Sequence, residues 1–346
     1  MKKSRFLGVL AIVLILSLAL VGCGNEAAAP EQPAGEPAKV FKVGLVTDVG
    51  GLNDKSFNYL ANQGLEKAKA DFGITTAVVE SKQMTDYETN LARFATEGYD
   101  LVVAVGFLMQ DATAKVAADY PDTNFLIIDS VVEAPNVASA IFKTEQAGYL
   151  VGVMAGLMEL DSSIPNMNED NTVGMVGGMK IPPVDDYIAG FYQGARSVNP
   201  DINIKLNYTN KFDDPVLGKQ TALAQIADGA DIVFHIAGGT GTGVINAAKE
   251  KGVYAIGVDA DQNYMAPETV ITSAMKGVDV ATYSITKDVV EGKFTGGVHY
   301  FELANDGVGY APANAAVPQD IIDKVNAAAQ DIKDGKITVT NVVPAE

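Results

Sequence analysis

The chain has 346 residues, of which 43 are acidic and 25 are basic, giving a formal net charge of −18. So acidic a surface is repelled by nucleic acid and by anionic lipid headgroups, which excludes binding through general electrostatic attraction to either. With one cysteine no internal disulfide can form, so packing and hydrogen bonds must stabilise the fold. The length suffices for two lobes that each have their own core.

The first 22 residues have the pattern of a secretory signal peptide. Three basic residues precede an apolar run, Phe6 to Val21, that is short for a stable membrane span. Leu20-Val21-Gly22-Cys23 then resembles the bacterial lipobox, which implies cleavage before Cys23 and acylation of its sulfur. An uncleaved anchor helix, or a secreted protein with an incidental cysteine, is the alternative. Residues 24–38 contain no aromatic or β-branched residue, so residues 23–39 are predicted to be the lipidated cysteine and a flexible tether.

From residue 40 onwards, short apolar runs alternate with longer helix-like stretches, a pattern typical of strand–helix units around parallel sheets. The predicted strands are 41–47, 76–80, 101–105, 125–129, 172–176, 203–208, 231–236, 254–258 and 270–274. The predicted helices are 57–70, 87–97, 109–119, 144–159, 187–198, 217–228, 243–250 and 278–290. Residues 40–142 and 172–270 each hold four such units, which predicts two similarly built lobes.

Turn-forming residues follow these predicted strands. They lie at 48–51, 106, 129–130, 177–178, 238–239 and 259–261. In open α/β sheets, ligands bind outside the carboxyl ends of the strands, so we expect a ligand site among these loops.

Enzyme chemistry has little support in the sequence. His235, at the end of a buried-looking strand, and His299, in a hinge or tail segment, are both expected to be structural. No GxSxG elbow occurs, and no thiol remains once Cys23 is acylated. The glycine-rich run 238–243 lacks the lysine of a phosphate-binding P-loop. Asp259 and Asp261 show no metal-site spacing, so we expect no catalysis, metal or cofactor.

The most specific signal is the run VGLVTDVGGLNDKSFN at 43–58. It closely resembles the TDxGGxxDxSFN opening of the basic membrane protein family of ABC-transporter lipoproteins, whose best-understood members bind purine nucleosides. Further matches are VAVGF at 103–107, FLIIDS at 125–130, FKTEQAGYLVGVMAG at 142–156, VGMVGG at 173–178, YIAGFYQGA at 187–195, FDDPVLGK at 212–219, IAGGTGTG at 236–243, GVDADQ at 257–262 and SAMK at 273–276. The resemblance covers residues 40 to about 300.

This resemblance implies the α/β type I periplasmic-binding-protein fold. In that fold, two Rossmann-like lobes with parallel sheets are joined by a three-stranded hinge, and the ligand lies in the cleft between them. Residues 40–142 with 275–300 are expected to form the N-terminal lobe. Residues 143–274 with 301–346 are expected to form the C-terminal lobe.

The resemblance also implies two aromatic residues that stack on the base, Phe57 from one lobe and Phe212 from the other. Ordinary core packing is the alternative for each ring. Asn58 and Asp129 are candidates for reading the base edge, because an amide both donates and accepts whereas a carboxylate accepts. For Asp129, turn or helix-cap chemistry is the alternative.

The sugar is expected to meet a second group of residues. Asp48, Asp259 and Lys276 are candidates for the ribose hydroxyls, since charge-assisted hydrogen bonds are strong. Turn chemistry is again the alternative for Asp48. Gly238 and Gly239 are expected in a loop that approaches the sugar through backbone groups. Two more residues complete the predicted site, namely Asn53 and Phe107.

The predicted function is that of an extracytoplasmic, lipid-anchored solute-binding protein that captures nucleosides for an ABC permease and its ATPase. A sensor or regulatory lipoprotein of the same fold, or a protein that binds a sugar-like ligand, is the alternative. Val184 and Tyr187 stand where relatives often carry Arg and Phe, which leaves the choice between purine and pyrimidine open.

Overall fold

The computed structural model describes residues 39–344, so the predicted signal peptide and Cys23 lie outside the described residues. Strands and helices alternate along this range. The strands are β1 Lys42–Thr47, β2 Thr75–Glu80, β3 Leu101–Val105, β4 Asn124–Ile128, β5 Val137–Phe142, β6 Thr172–Gly177, β7 Asn203–Tyr208, β8 Ile232–Ile236, β9 Tyr254–Asp259, β10 Val270–Lys276, β11 Gly297–Phe301 and β12 Val308–Tyr310. The helices are α1 Phe57–Phe72, α2 Tyr87–Thr96, α3 Gln110–Asp119, α4 Thr144–Met158, α5 Pro182–Val198, α6 Pro215–Ala227, α7 Gly238–Lys251, α8 Val278–Val290 and α9 Gln319–Lys333.

The strands form two six-stranded sheets of matching design. Their orders are β11-β5-β4-β3-β1-β2 and β12-β10-β9-β8-β6-β7. The strands are parallel throughout the first sheet, and the second differs only in β12, which pairs antiparallel with β10. Central strands such as β3 and β8 are buried along their whole length, because helices cover both faces of each sheet.

The chain passes between the two sheets three times: after β5, after β10, and between β11 and β12. After the first passage α4 packs on α5 and β10, and after the second α8 packs on α1. We therefore propose lobe 1 as residues 40–142 with 277–301, and lobe 2 as residues 143–276 with 302–344. The two-lobed, parallel α/β architecture confirms the predicted fold class.

Several predicted elements differ from the structure. The short strand β5 was not predicted, because its sequence VASAIF is dominated by small residues, and β11, β12 and α9 lie in the region where no element was predicted. Helix α5 begins at Pro182 rather than Tyr187, since two prolines suit the first turn of a helix, where no N–H partner is needed.

The predicted loop at 238–243 was wrong, because α7 already begins at Gly238. Glycine has a low helix propensity, but close packing explains why glycines occur in this helix. A Cβ on Gly243 would lie 1.8 Å from the Pro215 carbonyl oxygen, and one on Gly241 would lie 1.8 Å from His235 Nδ1. These glycines therefore let α7 approach α6 and β8.

Helices α4 and α5 touch through glycines spaced four residues apart. A Cβ on Gly148 would lie 2.2 Å from the Tyr187 carbonyl oxygen, and one on Gly190 would lie 1.9 Å from the Glu145 carbonyl oxygen. Backbone thus meets backbone without intervening side chains. This contact fixes the position of α5 against α4, and it therefore fixes where Tyr187 lies relative to the second sheet. Among residues 39–344, no helix combines the length and the apolar content needed to cross a membrane.

Gly190→Ala should lower the melting temperature, because its new methyl group would overlap the Glu145 carbonyl across the α4–α5 contact. Overpacking of this kind costs about 1–3 kcal/mol of unfolding free energy. Gly309→Ala is the matched control, since nothing lies within 4 Å of a Cβ at that position. Thermal unfolding followed by circular dichroism measures both variants. Equal melting temperatures for Gly190→Ala and the wild type would contradict the close approach.

Candidate ligand-binding site

A cavity of about 570 Å³, which includes space open to solvent, is lined by residues of both lobes. Its walls come from the carboxyl ends of the strands and the helix starts that follow them, as expected for open α/β sheets. Of the eleven residues predicted for the site, nine line this cavity: Asp48, Phe57, Asn58, Phe107, Asp129, Phe212, Gly238, Asp259 and Lys276. The other two do not, because Asn53 is exposed in a short 3-10 turn and Gly239 packs on the Phe212 carbonyl.

Asn58 positions two of the three cavity carboxyl groups of lobe 1. Its Nδ2 donates to Asp48 Oδ1 at 2.8 Å and to Asp54 Oδ2 at 3.1 Å, and its Oδ1 accepts from the Asp48 backbone N–H at 3.3 Å. An asparagine amide has two N–H donors, so both are used within the protein. Asn58 is thus placed to position two carboxyl groups, with one acceptor lone pair left over, rather than to donate to a base.

Asp54 is a cavity residue that was not predicted. It accepts hydrogen bonds from the backbone N–H groups of Ser56, Asn58 and Tyr59 at 3.0, 2.8 and 3.1 Å, and so caps α1. Burial raises its pKa to about 7, although these three hydrogen bonds act to lower it. A signal existed in the sequence, because an Asp just ahead of a helix start is a common cap.

Asp48 keeps one oxygen available to a ligand. Its Oδ1 accepts from the Gly50 N–H at 2.8 Å and from Asn58, whereas no hydrogen bond within the described residues uses Oδ2. That oxygen faces Gly106, where a Cβ would lie 3.3 Å away. Burial raises the pKa of Asp48 to about 6; the hydrogen bonds from Asn58 and Gly50 lower it, and repulsion from Asp129 raises it further.

Asp129 and Asp259 occupy equivalent places, at the carboxyl ends of β4 and β9. Both have left-handed backbone, with φ of 67° and 61°, a conformation that Asp tolerates better than most residues. Asp129 Oδ2 accepts from Lys276 Nζ at 2.5 Å, and the two side chains are only 7% and 3% exposed. Burial raises the pKa of Asp129, while the ammonium of Lys276 lowers it.

Both oxygens of Asp259 accept hydrogen bonds from hydroxyl groups. The Tyr187 hydroxyl donates to Oδ1 at 3.1 Å from within lobe 2, and Ser56 Oγ donates to Oδ2 at 2.6 Å from lobe 1. Burial, with the nearby Asp259 carboxylate, holds the pKa of Tyr187 well above its usual value, so its hydroxyl stays a donor. Asp259 therefore joins the two lobes at the cavity.

Phe57 and Phe212 reach the cavity from opposite lobes. Phe57 is the first residue of α1, and Phe212 lies between β7 and α6. Both are half-buried and also pack against buried core residues, so core packing accounts for part of each ring. Gly178 makes room for Phe212, since a Cβ there would lie 2.2 Å from the ring. Lys276 Nζ lies 4.8 Å from the centroid of Phe57.

Another wall is apolar, and the sequence analysis recognised only part of it, namely Val184 and Tyr187. Ile181, Pro183, Val184 and Tyr187 line the cavity from the start of α5, and Leu108 does so from lobe 1. Ile181 and Pro183 were not recognised because the helix was predicted to begin at Tyr187, which left its first turn out of the site.

The two histidines do not act on this cavity. His235 is buried, its Nε2 lies 2.9 Å from Gln262 Oε1, and burial lowers its pKa to about 4. His299 lies in β11, not in a hinge or tail, with Nε2 3.1 Å from the Thr295 carbonyl oxygen. Among residues 39–344, no group of three His, Cys, Asp or Glu is arranged to hold a metal ion.

Lys276→Met should lower the free energy of unfolding by about 3 kcal/mol at pH 7, because it leaves Asp129 buried without its cation. Lys324→Met, which breaks an exposed ion pair with Asp320, is the matched control and should cost less than about 1 kcal/mol. Urea unfolding measures both. Adding Asp129→Asn to Lys276→Met should restore part of the loss, and a double variant no more stable than the single one would contradict the explanation.

Comparisons with known proteins agree with this architecture. The ABC transporter nucleoside-binding protein BmpA of Lactococcus lactis is 35% identical over 362 residues, covering 97% of this chain and 99% of its own. A lipoprotein of Pyrococcus horikoshii is 34% identical over 324 residues, covering 90% and 77%. The crystal structure of an ABC transporter solute-binding protein from Aeropyrum pernix has a TM-score of 0.81 at 31% identity, covering 88% and 94%.

The family model described as "ABC transporter substrate-binding protein PnrA-like" matches residues 41–342, which is nearly all of the chain that the structure describes. Two lobes, a cavity at the carboxyl ends of their strands and this match lead to one assignment. The chain belongs to the PnrA-like family of ABC transporter substrate-binding proteins.

Proposed function

We propose that this substrate-binding protein captures a neutral nucleoside in the cavity between its lobes. The observation that carries the proposal is the pair of phenyl rings, Phe57 and Phe212, which line one cavity from opposite lobes. Aromatic faces stack on any flat heterocycle, and each such contact is worth on the order of 1 kcal/mol or more. The relative from Lactococcus lactis, whose name states nucleoside binding, supports the same ligand class.

Acceptors around the cavity suit the hydroxyl groups of a sugar. Asp48 Oδ2 is unused within the described residues, and Asp129 and Lys276 present a carboxylate and an ammonium side by side. The N–H group of Gly238, the first residue of α7, has no partner within its own helix, and because Gly238 lines the cavity this group can donate to a neutral oxygen. A vicinal diol would thus find both acceptors and donors.

The cavity disfavours a phosphate group. Its charged lining residues are four aspartates, at positions 48, 54, 129 and 259, and Lys276, whose charge is already paired with Asp129. Helix starts often bind phosphate, but of the two helices of lobe 2 that begin at the cavity only α7 offers a free N–H group, since α5 begins with two prolines that have none. The next two N–H groups, of Val184 and Asp185, both bond the Ile181 carbonyl at 3.0 Å. A nucleoside is therefore favoured over its monophosphate.

We further propose that Cys23 is acylated and anchors the protein to the outer face of the cell membrane, where it delivers its ligand to a permease and ATPase of the ABC type. The lipobox resemblance at Cys23 and the lipoprotein relative from Pyrococcus horikoshii support the anchor. Metabolic labelling with radioactive palmitate tests it, since a Cys23→Ser chain should take up no label.

Isothermal titration of refolded, ligand-free protein with adenosine, guanosine, inosine, cytidine and uridine tests the ligand class. We expect at least one nucleoside to bind, and Phe57→Ala or Phe212→Ala to weaken its binding tenfold or more by removing one stacking face. Phe72→Ala is the matched control, because this half-buried ring packs on Tyr283 outside the cavity, and it should leave the dissociation constant unchanged. No heat with any nucleoside, or equal binding of free ribose, would contradict the proposal.

Affinity should also depend on pH through Asp48. The unused Oδ2 of Asp48 accepts hydrogen bonds most strongly when the carboxyl group is ionised, and the pKa of Asp48 is about 6, so binding should be strongest above that pH and weaken as the pH falls through 6. We expect about tenfold weaker binding at pH 5 than at pH 8. Asp48→Asn should bind more weakly at pH 8 and lose most of this dependence. A dissociation constant equal at both pH values in the wild type would show that Asp48 is not an acceptor for the ligand.

A further inference from the structure

Gln262 makes a side-chain hydrogen bond that joins the two lobes, in addition to the Asp129–Lys276 ion pair. It is fully buried, and its Nε2 donates to the Lys55 carbonyl oxygen of lobe 1 at 3.2 Å. Two backbone groups fix the orientation of the amide. The Val258 N–H donates to one end at 3.0 Å, which must be the oxygen, so the end that faces the Lys55 carbonyl must be the NH₂ group.

His235 holds this amide in place. Its Nε2 lies 2.9 Å from Gln262 Oε1, and because an amide oxygen can only accept, the neutral ring must carry its proton on Nε2. The other nitrogen, Nδ1, is buried beside Gly241 without a hydrogen-bond partner. An imidazole buried with one bare nitrogen is costly, and the only polar contact that it makes within the described residues is with Gln262.

A second bond between the lobes lies next to the first. Ser56, the neighbour of Lys55, is fully buried and donates from Oγ to Asp259 Oδ2 at 2.6 Å. Its partner Asp259 lies three residues before Gln262. Adjacent residues of lobe 1 thus bond two residues of lobe 2, one at the end of β9 and one in the turn after it, and both bonds break whenever the lobes separate there.

We propose that these residues form a latch that holds the closed lobes together and so sets how long a ligand stays bound. The latch comprises Lys55 and Ser56 of lobe 1 and Asp259 and Gln262 of lobe 2, with His235 as the residue that positions Gln262. Opening about the three passages between the lobes would exchange its two hydrogen bonds for bonds to water. The latch depends on the proposed function only because the first test measures the dissociation rate of a nucleoside.

The dissociation rate of the nucleoside that binds most tightly in titration, measured by stopped-flow fluorescence or surface plasmon resonance, is the first test. Ser56→Ala should raise this rate about tenfold, since it removes a bond to a charged group. Ser197→Ala is the matched control, because its hydroxyl donates to the Gly194 carbonyl, also at 2.6 Å, within lobe 2. It should leave the rate unchanged.

Gln262→Leu should raise the rate about fivefold and also lower the melting temperature, because the Val258 N–H loses its acceptor. Gln225→Leu controls for that loss of stability. Gln225 is also buried, but its Nε2 donates to Met175, Lys205 and Asn207 inside lobe 2, so the variant should melt earlier with an unchanged rate. His235→Leu should raise the rate, and should add nothing to Gln262→Leu, since it acts through that residue. Additive effects would overturn the positioning role.

A second test needs no ligand. Spin labels on Lys82→Cys and Lys211→Cys, in a full chain with Cys23→Ser, report the distance between exposed sites that follow β2 and β7, the edge strands on the side away from the passages. Ser56→Ala should shift this distance distribution to longer values, and Ser197→Ala should not. If no nucleoside binds the wild type, the ligand proposal fails and the distances alone decide the latch. Unchanged distances, whether or not the rate changes, would overturn it.

Discussion

A buried carboxylate has to find hydrogen-bond donors or a cation, since otherwise burial costs several kcal/mol or the group takes up a proton. The cavity holds four such carboxyl groups, and each is satisfied in a different way. Asp54 accepts hydrogen bonds from backbone N–H groups at the start of α1, and Asp48 accepts one from the side-chain amide of Asn58. Asp129 forms an ion pair with the ammonium group of Lys276, and Asp259 accepts hydrogen bonds from two hydroxyl groups. Losing any one of these donors would leave a buried carboxyl oxygen with one hydrogen bond fewer.

These donors tie the site to distant parts of the fold. The ammonium of Lys276 comes from the end of β10, and the Tyr187 hydroxyl comes from α5, whose height is set by glycines against α4. The Ser56 hydroxyl comes from the opposite lobe. The hydrogen bonding of these few carboxyl groups therefore depends on packing between helices, on pairing between strands and on contact between the lobes. A change in core packing far from the cavity can consequently alter ligand binding.

Much of the architecture could be predicted from the sequence, because continuous apolar runs such as 101–105 and turn residues after them are local signals. The residues near strand ends could be predicted for the same reason. What could not be predicted depends on partners far apart in the chain. Nothing near Asn58 indicates that both of its donors are taken by carboxyl groups, and the start of α7 was hidden by glycines that are favourable only in their packed context. The prolines at the start of α5 are a local signal that the sequence analysis did not use.

The three passages between the sheets have a consequence for how the chain acquires its structure. Strand β11, from Gly297 to Phe301, completes the first sheet, yet it is made only after β6 to β10 have all been synthesised. Until then, one side of β5 is an unpaired edge, which is prone to wrong pairing with other strands. The last strand of the second sheet, β12, comes later still. Neither sheet can therefore be completed until most of the chain is available to fold.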